Sequence, residues 1–341
     1  MIYRKQKDYD SFKCIADKCP KSCCIGWQIM IDEDSLFRYQ EVTGDFSSRL
    51  ADSIDYKESS FRQHNTRCSM LNDNGLCDLQ STLGEDYLCD TCRLYPRHTE
   101  EFQDIREYSL SLSCPEAVRM LLEPDYDFTI EESSDDELDS PEEFEDFDFL
   151  IFDKLEYSRD RLFKVASDHS LPLLKRLLII KQAALKLQEL YDEGDIFSMD
   201  SVAIDSSILD SSVTFSSEYC IKSLDVLLDM EVLEDAWTKD IMTTRDYWIG
   251  HDITCPDSHS SIIYEKILKS LLFTYFCGSI YDGQIYASAM IAVMSTIWIM
   301  MISDAHGDTP LNEIIYLYSR EVEHSDINVN SLIEFFENEL N

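Results

Sequence analysis

Apolar residues in the second half of the chain recur at helical spacing. Leu173, Leu177, Ile180, Ala184, Leu187 and Tyr191 follow one another at alternating four- and three-residue steps. This spacing places them on one face of a helix. Gly194 comes shortly after the last of them, and glycine is common just past the end of a helix. The pattern predicts an amphipathic helix that packs against a core.

Residues 285–302 form an uninterrupted stretch of eighteen residues without a charge. Such a length is close to that needed to cross a membrane. However, Ser288, Ser295 and Thr296 lie within the stretch, and no basic cluster marks a cytoplasmic side. We therefore predict a fully buried central helix of an all-α bundle.

Two further signals indicate helix starts near the carboxyl terminus. Thr309 is followed by Pro310, which is typical of an N-cap residue with proline at the first helical position. Ser331 and Glu334 have the spacing of a capping box. Residues 196–215 are rich in serine and aspartate and are predicted to be a loop.

The first third of the chain shows weaker periodicity. Residues 27–31 alternate well enough to predict a short strand, and the acidic residues 32–34 predict the start of a short helix that ends near Gln40. The remainder is turn-rich. The predicted fold class is mainly α: an irregular, cysteine-rich N-terminal region with short strands, followed by an all-α C-terminal region.

The charge of the chain is strongly negative and uneven. The 341 residues include 29 Lys and Arg against 67 Asp and Glu, a net charge of −38. Residues 1–124 account for −7, and the rest for −31. This balance excludes a nucleic-acid-binding protein that depends on a basic surface. The acidic field either steers a lysine-bearing substrate or only keeps the protein soluble.

A run of acids separates the two parts of the chain. Residues 131–148 contain eleven Asp and Glu and no basic residue. Low hydrophobicity with charge of one sign is typical of a linker, and an acidic arm that docks a basic partner is the alternative. The predicted organisation is a cysteine-cluster region at 1–124, an acidic linker at 125–150 and a helical domain at 151–341.

Nine of the twelve cysteines lie within the first 114 residues. Clustered cysteines form disulfides, bind a metal or cluster, or act as redox or nucleophilic groups. The N-terminus continues directly into charged residues without an apolar leader, so we expect a cytoplasmic protein, where disulfides are rare. The cysteines predicted to bind a metal are Cys14, Cys19, Cys23, Cys24, Cys68, Cys77, Cys89, Cys92 and Cys114. The other three, Cys220, Cys255 and Cys277, are predicted to be buried structural thiols.

The cysteine spacing supports metal binding. Cys89 and Cys92 form a C-x2-C pair and Cys19 and Cys23 a C-x3-C pair. A hairpin at residues 72–75 would bring together the cysteines on its two sides. Both zinc and a [4Fe–4S] cluster take four thiolates, and eight cysteines would suffice for two such sites. A proline after Cys19 and after Cys114 favours iron–sulfur, whereas the scarcity of histidine disfavours a Cys/His zinc finger.

Several segments resemble a known family. The cysteine segments are similar to those of bacterial flagellin lysine-N-methylases, and to a wider group of zinc- or iron-chelating cysteine-cluster proteins. The resemblance covers about residues 8–120, and its motifs lie at residues 12–29, 67–71, 75–79, 88–97 and 109–117.

The resemblance implies an enzyme that transfers a methyl group from S-adenosylmethionine to the ε-amine of lysines in flagellin. It also implies a centre of zinc or [4Fe–4S] held by the cysteines. None of the nine glycines forms the G-x-G-x-x-G loop, so we expect the donor pocket to lie outside the common methyltransferase fold. The C-x3-C-x2-C triplet of radical enzymes is incomplete, because Cys24 directly follows Cys23.

Four further residues are candidates for the site. Arg93 and Arg97 could bind the carboxylate of the cofactor bidentately, or only offset the charge of the thiolates. Tyr281 and Asp282 are predicted catalytic residues, since an acid there could steer a lysine ammonium or accept its proton. The alternative for Asp282 is a helix cap in a turn.

A second function of a different class fits the same pattern: a non-enzymatic metal- or cluster-binding module that contacts a protein partner. The large C-terminal part favours the enzyme, because a small chelating module does not need it. We expect flagellin to be the protein partner and expect neither nucleic acid nor a membrane to be one.

Overall fold

The computed structural model describes residues 1–136, 147–210 and 214–340. Within these residues the chain forms fourteen α-helices and eight short strands. Nearly all strands lie in the first third, and the long helices follow them, as the sequence predicts.

A four-stranded sheet is the largest β structure. Its order is β6-β7-β1-β8, with β1 parallel to β7 and the other pairs antiparallel. Two small ribbons pair β2 with β3 and β4 with β5. The strands are β1 Ile2–Gln6, β2 Ile54–Asp55, β3 Ser60–Phe61, β4 Gln63–His64, β5 Arg67–Cys68, β6 Arg97–Phe102, β7 Ile105–Leu110 and β8 Ile130–Ser134.

Short helices occur between the strands and long helices after them. The first five are α1 Glu33–Gln40, α2 Phe46–Asp52, α3 Asp78–Leu83, α4 Asp90–Leu94 and α5 Pro115–Leu121. The others are α6 Phe149–Ala166, α7 Leu173–Asp192, α8 Ser217–Leu228, α9 Trp237–Trp248, α10 Ser258–Tyr275, α11 Ser279–Asp282, α12 Ile285–Ala305, α13 Leu311–Glu323 and α14 Asp326–Asn338.

Helix α12 is the centre of the helical part. It is long and apolar enough to cross a membrane by length and composition, yet its apolar stretch is entirely buried inside the protein. It packs against α7, α9, α10 and α14. A helix that is apolar all round needs partners on every side. The prediction of a buried core helix is confirmed, and so is the predicted helix that became α7, which ends just before Gly194.

The hydrophobic cores do not divide the chain at residue 124. Phe102, Ile105 and Val118 belong to the same core as the long helices. A separate, smaller core surrounds Ile29 and Leu50 in the cysteine-rich region. The sheet and α5 are therefore continuous with the helical part.

A buried ion pair joins the sheet to the long helices. Arg159 of α6 donates to both carboxylate oxygens of Glu107 of β7, at 2.5 Å each, and both side chains are almost fully buried. A buried charge is tolerated when it is paired in this way.

Part of the predicted acidic linker is a strand. Residues 130–134 form β8, which pairs with β1 in a register that places Glu132 opposite Arg4 and Glu131 opposite Lys5. The Arg4 and Glu132 side chains form an ion pair at 3.0 Å. Opposite charges across two strands stabilise their pairing, which composition alone did not indicate. The charge run at residues 137–146 lies outside the described residues.

Three local predictions were wrong. Residues 27–31 form no strand; only Met30 makes an isolated bridge, to Ser60. Helix α14 begins at Asp326, where the Ser325 hydroxyl caps it, so Ser331 lies inside the helix. The N-cap of α13 is Pro310, one residue later than predicted. Only the start of α14 is explained by an earlier cap; the one-residue difference at α13 is within the usual variation of helix boundaries.

The loop predicted at residues 196–215 contains two 3-10 turns, Ile196–Ser201 and Ser206–Ile208. Residues 211–213 of this prediction lie outside the described part of the chain. The short helix predicted to end at Gln40 is confirmed as α1, and the side chain of Asp32 caps it by accepting a hydrogen bond from the Ser35 amide at 2.8 Å.

Candidate site at a cysteine-lined cavity

The N-terminal cysteines converge on one cavity of about 400 Å³. Cys68 and Cys89 lie in the small core beside it, and the Cys68 amide donates to the Cys24 carbonyl at 2.8 Å. The cysteines that line the cavity are Cys14, Cys19, Cys23, Cys24, Cys77, Cys92 and Cys114. The nine predicted metal ligands therefore lie in one region, although 100 residues separate the first from the last.

Three short helices position part of this set. Cys77, Cys89 and Cys114 each occupy the N-cap position of a helix, at α3, α4 and α5. Backbone N–H groups at a helix start favour a thiolate. Burial opposes this effect: it raises the pKa of Cys114 to about 11, although the N–H groups of Ala117 and Glu116 act in the other direction.

Two pairs of thiols are hydrogen-bonded to each other. The hydrogen bond from the Cys23 thiol lowers the pKa of Cys24 to about 7, and the same bond together with burial raises the pKa of Cys23. Cys89 and Cys92 form the second pair, in which the hydrogen bond lowers the pKa of Cys89 and raises that of Cys92. One member of each pair is therefore the more easily ionised.

The donor set fits a soft metal in its chemistry. Thiols dominate the cavity, and no histidine is among the described residues that line it. Thiolate ligands select zinc or iron–sulfur clusters. The side chains themselves are not in a coordinating arrangement: among the described residues, no group of three or more His, Cys, Asp or Glu side chains could hold a metal ion.

The three remaining cysteines lie elsewhere. Cys220 and Cys277 are buried, as predicted for structural thiols, but Cys255 is exposed. The prediction for Cys255 was wrong because it lies in the irregular segment just before α10 and does not belong to a helix face.

Both arginines predicted to bind the cofactor line the cysteine cavity. Arg93 pairs with Asp90 at 2.6 Å on the surface. The Arg97 guanidinium packs over the rings of Phe12, at 5.2 Å, and Tyr9, at 5.8 Å. A guanidinium at the edge of a thiol-lined cavity is available to an anionic group within it.

The predicted catalytic residues lie outside this cavity. Tyr281 stacks on Phe102 at 6.0 Å and donates a hydrogen bond to the Glu101 carbonyl. Asp282 accepts a hydrogen bond from the Gln284 amide at 2.8 Å. These contacts are at the far end of β6 from Arg97, roughly 16 Å along the strand at about 3.3 Å per residue. The catalytic role of Tyr281 and Asp282 stays a prediction.

A second cavity, of about 480 Å³, adjoins the first and was not predicted. Tyr95, Pro96 and Arg97 line both cavities. Glu323 and His324, at the junction of α13 and α14, also line the second cavity. No sequence motif marks these two residues, because they meet the N-terminal region only through the fold.

The second half of the chain identifies the family. Residues 159–341, more than half of the chain, match the family described as the FliB lysine N-methylase C-terminal domain. The chain belongs to the FliB lysine N-methylase family. The matched residues begin at the Arg159 that pairs with the sheet and include α13, with Glu323.

Curated relatives support the same assignment to the FliB family. The chain is 31% identical over 124 residues to the "Flagellar biosynthetic protein FliU" of Salmonella muenchen. This match covers 33% of the chain and 73% of that relative. It is 30% identical over 124 residues to the "Lysine-N-methylase" of Salmonella typhimurium, and to that of Salmonella choleraesuis. These matches cover 33% of the chain and 31% of each lysine-N-methylase, less than a third of their length. No solved structure matches the chain.

Proposed function

We propose that this chain is a cytoplasmic S-adenosylmethionine-dependent methyltransferase that methylates lysine ε-amines of flagellin. The observation that carries the proposal is the match of more than half of the chain to the FliB lysine N-methylase C-terminal domain. The names of the Salmonella relatives agree with it, since one is a flagellar biosynthetic protein and two are lysine-N-methylases.

The cysteine cavity is the proposed donor site. Arg93 and Arg97 line it and supply guanidinium groups for the carboxylate of the donor's methionine moiety. Tyr95 and Pro96 line both this cavity and the second one, so the two cavities meet at these residues. Donor and acceptor would thus bind in adjacent cavities, and holding two reactants at close range supplies much of the rate in such a transfer.

A zinc ion or a [4Fe–4S] cluster held by the N-terminal thiolates is the second part of the proposal. Its ligands would come from the nine cysteines, four for each centre. When bound, the centre would cross-link segments that have little core of their own, so that binding free energy contributes to folding. The side chains would have to move into coordination, because they do not form a coordinating group at present.

The test begins with an anaerobic preparation of the full chain. Metal and sulfide analysis with visible absorption identifies the centre, and incubation with flagellin and labelled S-adenosylmethionine measures transfer. We expect label on flagellin lysines. Bound metal with no transfer of label would contradict the enzyme and favour a metal- or cluster-binding module that contacts a protein partner.

The ligand assignment has its own expected outcome. Cys92→Ser should lower the bound metal and the stability of the cysteine-rich region, because a serine hydroxyl replaces a thiolate lining the cavity. The matched control is Cys255→Ser, which changes an exposed cysteine outside the cavity. Equal metal content in both variants would remove Cys92 from the ligand set.

A further inference from the structure

The second cavity joins parts of the chain that are far apart in sequence. Its walls come from β6 and β7, from the end of α10, and from the junction of α13 and α14. Its volume, about 480 Å³, is typical of a small-ligand site. Trp27 closes one side, and its indole donates to the Cys23 carbonyl at 2.6 Å. The cavity is thereby tied to the cysteine region.

Glu323 is the chemically distinctive group in this cavity. Ser111 donates a hydrogen bond to its Oε2 at 2.5 Å, whereas its buried Oε1 has no hydrogen-bond partner. Burial raises the pKa of Glu323, although the hydroxyls of Ser111 and Ser319 and the charge of His98 oppose the rise. A buried acceptor without a donor costs free energy, which a ligand N–H would recover.

Aromatic rings surround this carboxylate. His324 stacks on Trp27 at 4.3 Å and lies 5.7 Å from Tyr95. Burial, together with the nearby charge of Arg320, lowers the pKa of His324 to about 3, so its ring is neutral near pH 7. Tyr275 adds a further ring to the lining. Neutral rings beside a carboxylate attract a cation and also accept the aliphatic stem that carries it.

Arg97 and His98, two basic residues that line the cavity, each contact other partners. Arg97 packs over Phe12 and Tyr9, as described above, and donates to the Phe12 carbonyl at 3.5 Å. His98 pairs with Glu100 at 2.7 Å. Asp326 adds a second carboxylate to the lining. An anionic ligand would be repelled by Glu323 and Asp326, whereas an ammonium would be attracted.

We propose that this cavity binds the ε-amine of the substrate lysine, and that Glu323 contacts its nitrogen and accepts its proton. The proposal rests on the methyltransferase function proposed above and adds the acceptor site to it. Glu323 Oε1 takes one proton from the bound ammonium, and the neutral amine nitrogen that results attacks the methyl carbon of the sulfonium donor. A C–N bond forms as the C–S bond breaks, and the electron pair of the C–S bond goes to sulfur, which leaves as a neutral thioether. A carboxyl whose pKa lies nearer neutrality is the better acceptor for that proton.

Binding of a lysine probe tests the site without methyl transfer. The probes are Nα-acetyl-lysine methylamide and its norleucine counterpart, which keeps the stem but lacks the amine, titrated calorimetrically into the full chain. We expect the wild type to prefer the lysine probe by about tenfold or more, as for a hydrogen bond to a charged group. Equal affinity of the wild type for both probes would overturn the proposal, whatever the variants do.

Glu323→Gln should abolish the preference for the lysine probe over the norleucine probe, because the glutamine side chain is uncharged. Glu334→Gln is the matched control, since it removes an exposed carboxylate from α14, and we expect it to bind like the wild type. Circular dichroism checks that both variants are folded. A preference retained in folded Glu323→Gln would remove Glu323 from the site.

Transfer to flagellin, measured on the same preparations, separates this proposal from the proposed function. We expect Glu323→Gln to lose transfer by about a hundredfold or more, the usual contribution of a positioned base. If Glu323→Gln transfers the methyl group as fast as the wild type, the proposed role of Glu323 would be wrong, while the proposed methyltransferase function would be unaffected. If the wild type binds the lysine probe through Glu323 but transfers no label to flagellin, the result would support the acceptor site and contradict the methyltransferase function. Loss of transfer in Asp282→Asn but not in Glu323→Gln would instead assign the proton acceptor to Asp282.

Discussion

Glu321 shows how one buried carboxylate couples the fold to pH. Its two oxygens accept hydrogen bonds from the amides of Leu233 and Glu234, at 2.9 and 2.6 Å, and so hold the segment before α9 against α13. Burial raises its pKa to about 7 from an ordinary value of 4.5, although the two amides oppose the rise. The folded protein therefore binds this proton more tightly than the unfolded chain.

The expected consequence is a loss of stability as the pH rises. The contribution of Glu321 is fully present below pH 4.5, falls as the pH rises through about 7, and is absent above that. Glu321→Gln removes the titration, so its stability relative to the wild type should increase by about 2–3 kcal/mol between pH 4.5 and 8. Urea unfolding at several pH values measures this difference. The exposed Glu334→Gln variant should show no such trend, and a pH-independent difference for Glu321→Gln would contradict the assignment.

At the scale of elements, the turn between α11 and α12 depends on a glycine. Gly283 has a φ of +76°, and a Cβ atom there would lie 2.9 Å from the Tyr191 ring of α7. Gln188 of α7 closes the same turn, donating to the Gly283 carbonyl at 2.9 Å and accepting from the Tyr286 amide at 3.0 Å. The turn therefore fixes the start of the central helix against α7.

Gly283→Ala should destabilise the protein. The left-handed backbone alone costs a residue with a Cβ about 1–2 kcal/mol, and the contact with Tyr191 adds to this cost. The matched control is Gly307→Ala, since a Cβ there meets nothing within 4 Å and the backbone is not left-handed. Thermal unfolding of both variants decides the matter. Similar midpoints for the two would show that Tyr191 moves aside and that the strain is relieved.

At the scale of the whole molecule, Arg320 joins the helical part to the cysteine region. Its guanidinium donates to the carbonyls of Ile25 and Ser22 and lies 3.7 Å from the Glu234 carboxylate. The side chain is only 2% exposed. Gly26 lies against the same guanidinium: its φ is +95°, and a Cβ atom there would lie 3.3 Å from Arg320 and 3.1 Å from the Glu234 carboxylate. Both cavities depend on this junction, because Trp27 and the cysteines occupy one side of it and α13 the other.

Arg320→Met should loosen the junction. Among the described residues it leaves Lys21 as the ion-pair partner of Glu234, and it removes the guanidinium that donates to the two carbonyls. Leaving buried acceptors without a donor typically costs about 1–3 kcal/mol. Limited proteolysis should then cut the segment around residues 14–26 faster. Arg245→Met is the control, because Arg245 pairs with Asp225 on the surface, where such pairs contribute less than about 1 kcal/mol. Equal cleavage rates in the two variants would mean that Arg320 does not hold the junction.

The sequence predicted the elements whose signals are local. The apolar periodicity of α7 and the uncharged stretch of α12 determine helices, because side chains three and four residues apart share a face. The capping of α1 by Asp32 is equally local. Signals of the same kind failed at Ser331, because Ser325 already caps the helix six residues earlier, and at residues 27–31, where only Met30 forms a bridge, to Ser60.

The sequence by itself also determined which residues are candidates for the site, since the cysteines spaced at C-x2-C and C-x3-C and the arginines Arg93 and Arg97 can be read from it directly. Only the tertiary structure decided what surrounds them. Glu323 and Ser111 are hydrogen-bonded although they are 212 residues apart in sequence. Arg4 of β1 and Glu132 of β8 are likewise hydrogen-bonded although 128 residues separate them. Such contacts are set by packing of the whole chain and leave no periodic trace in either segment. The acceptor cavity is therefore a property of the fold, whereas the cysteine set is a property of the sequence.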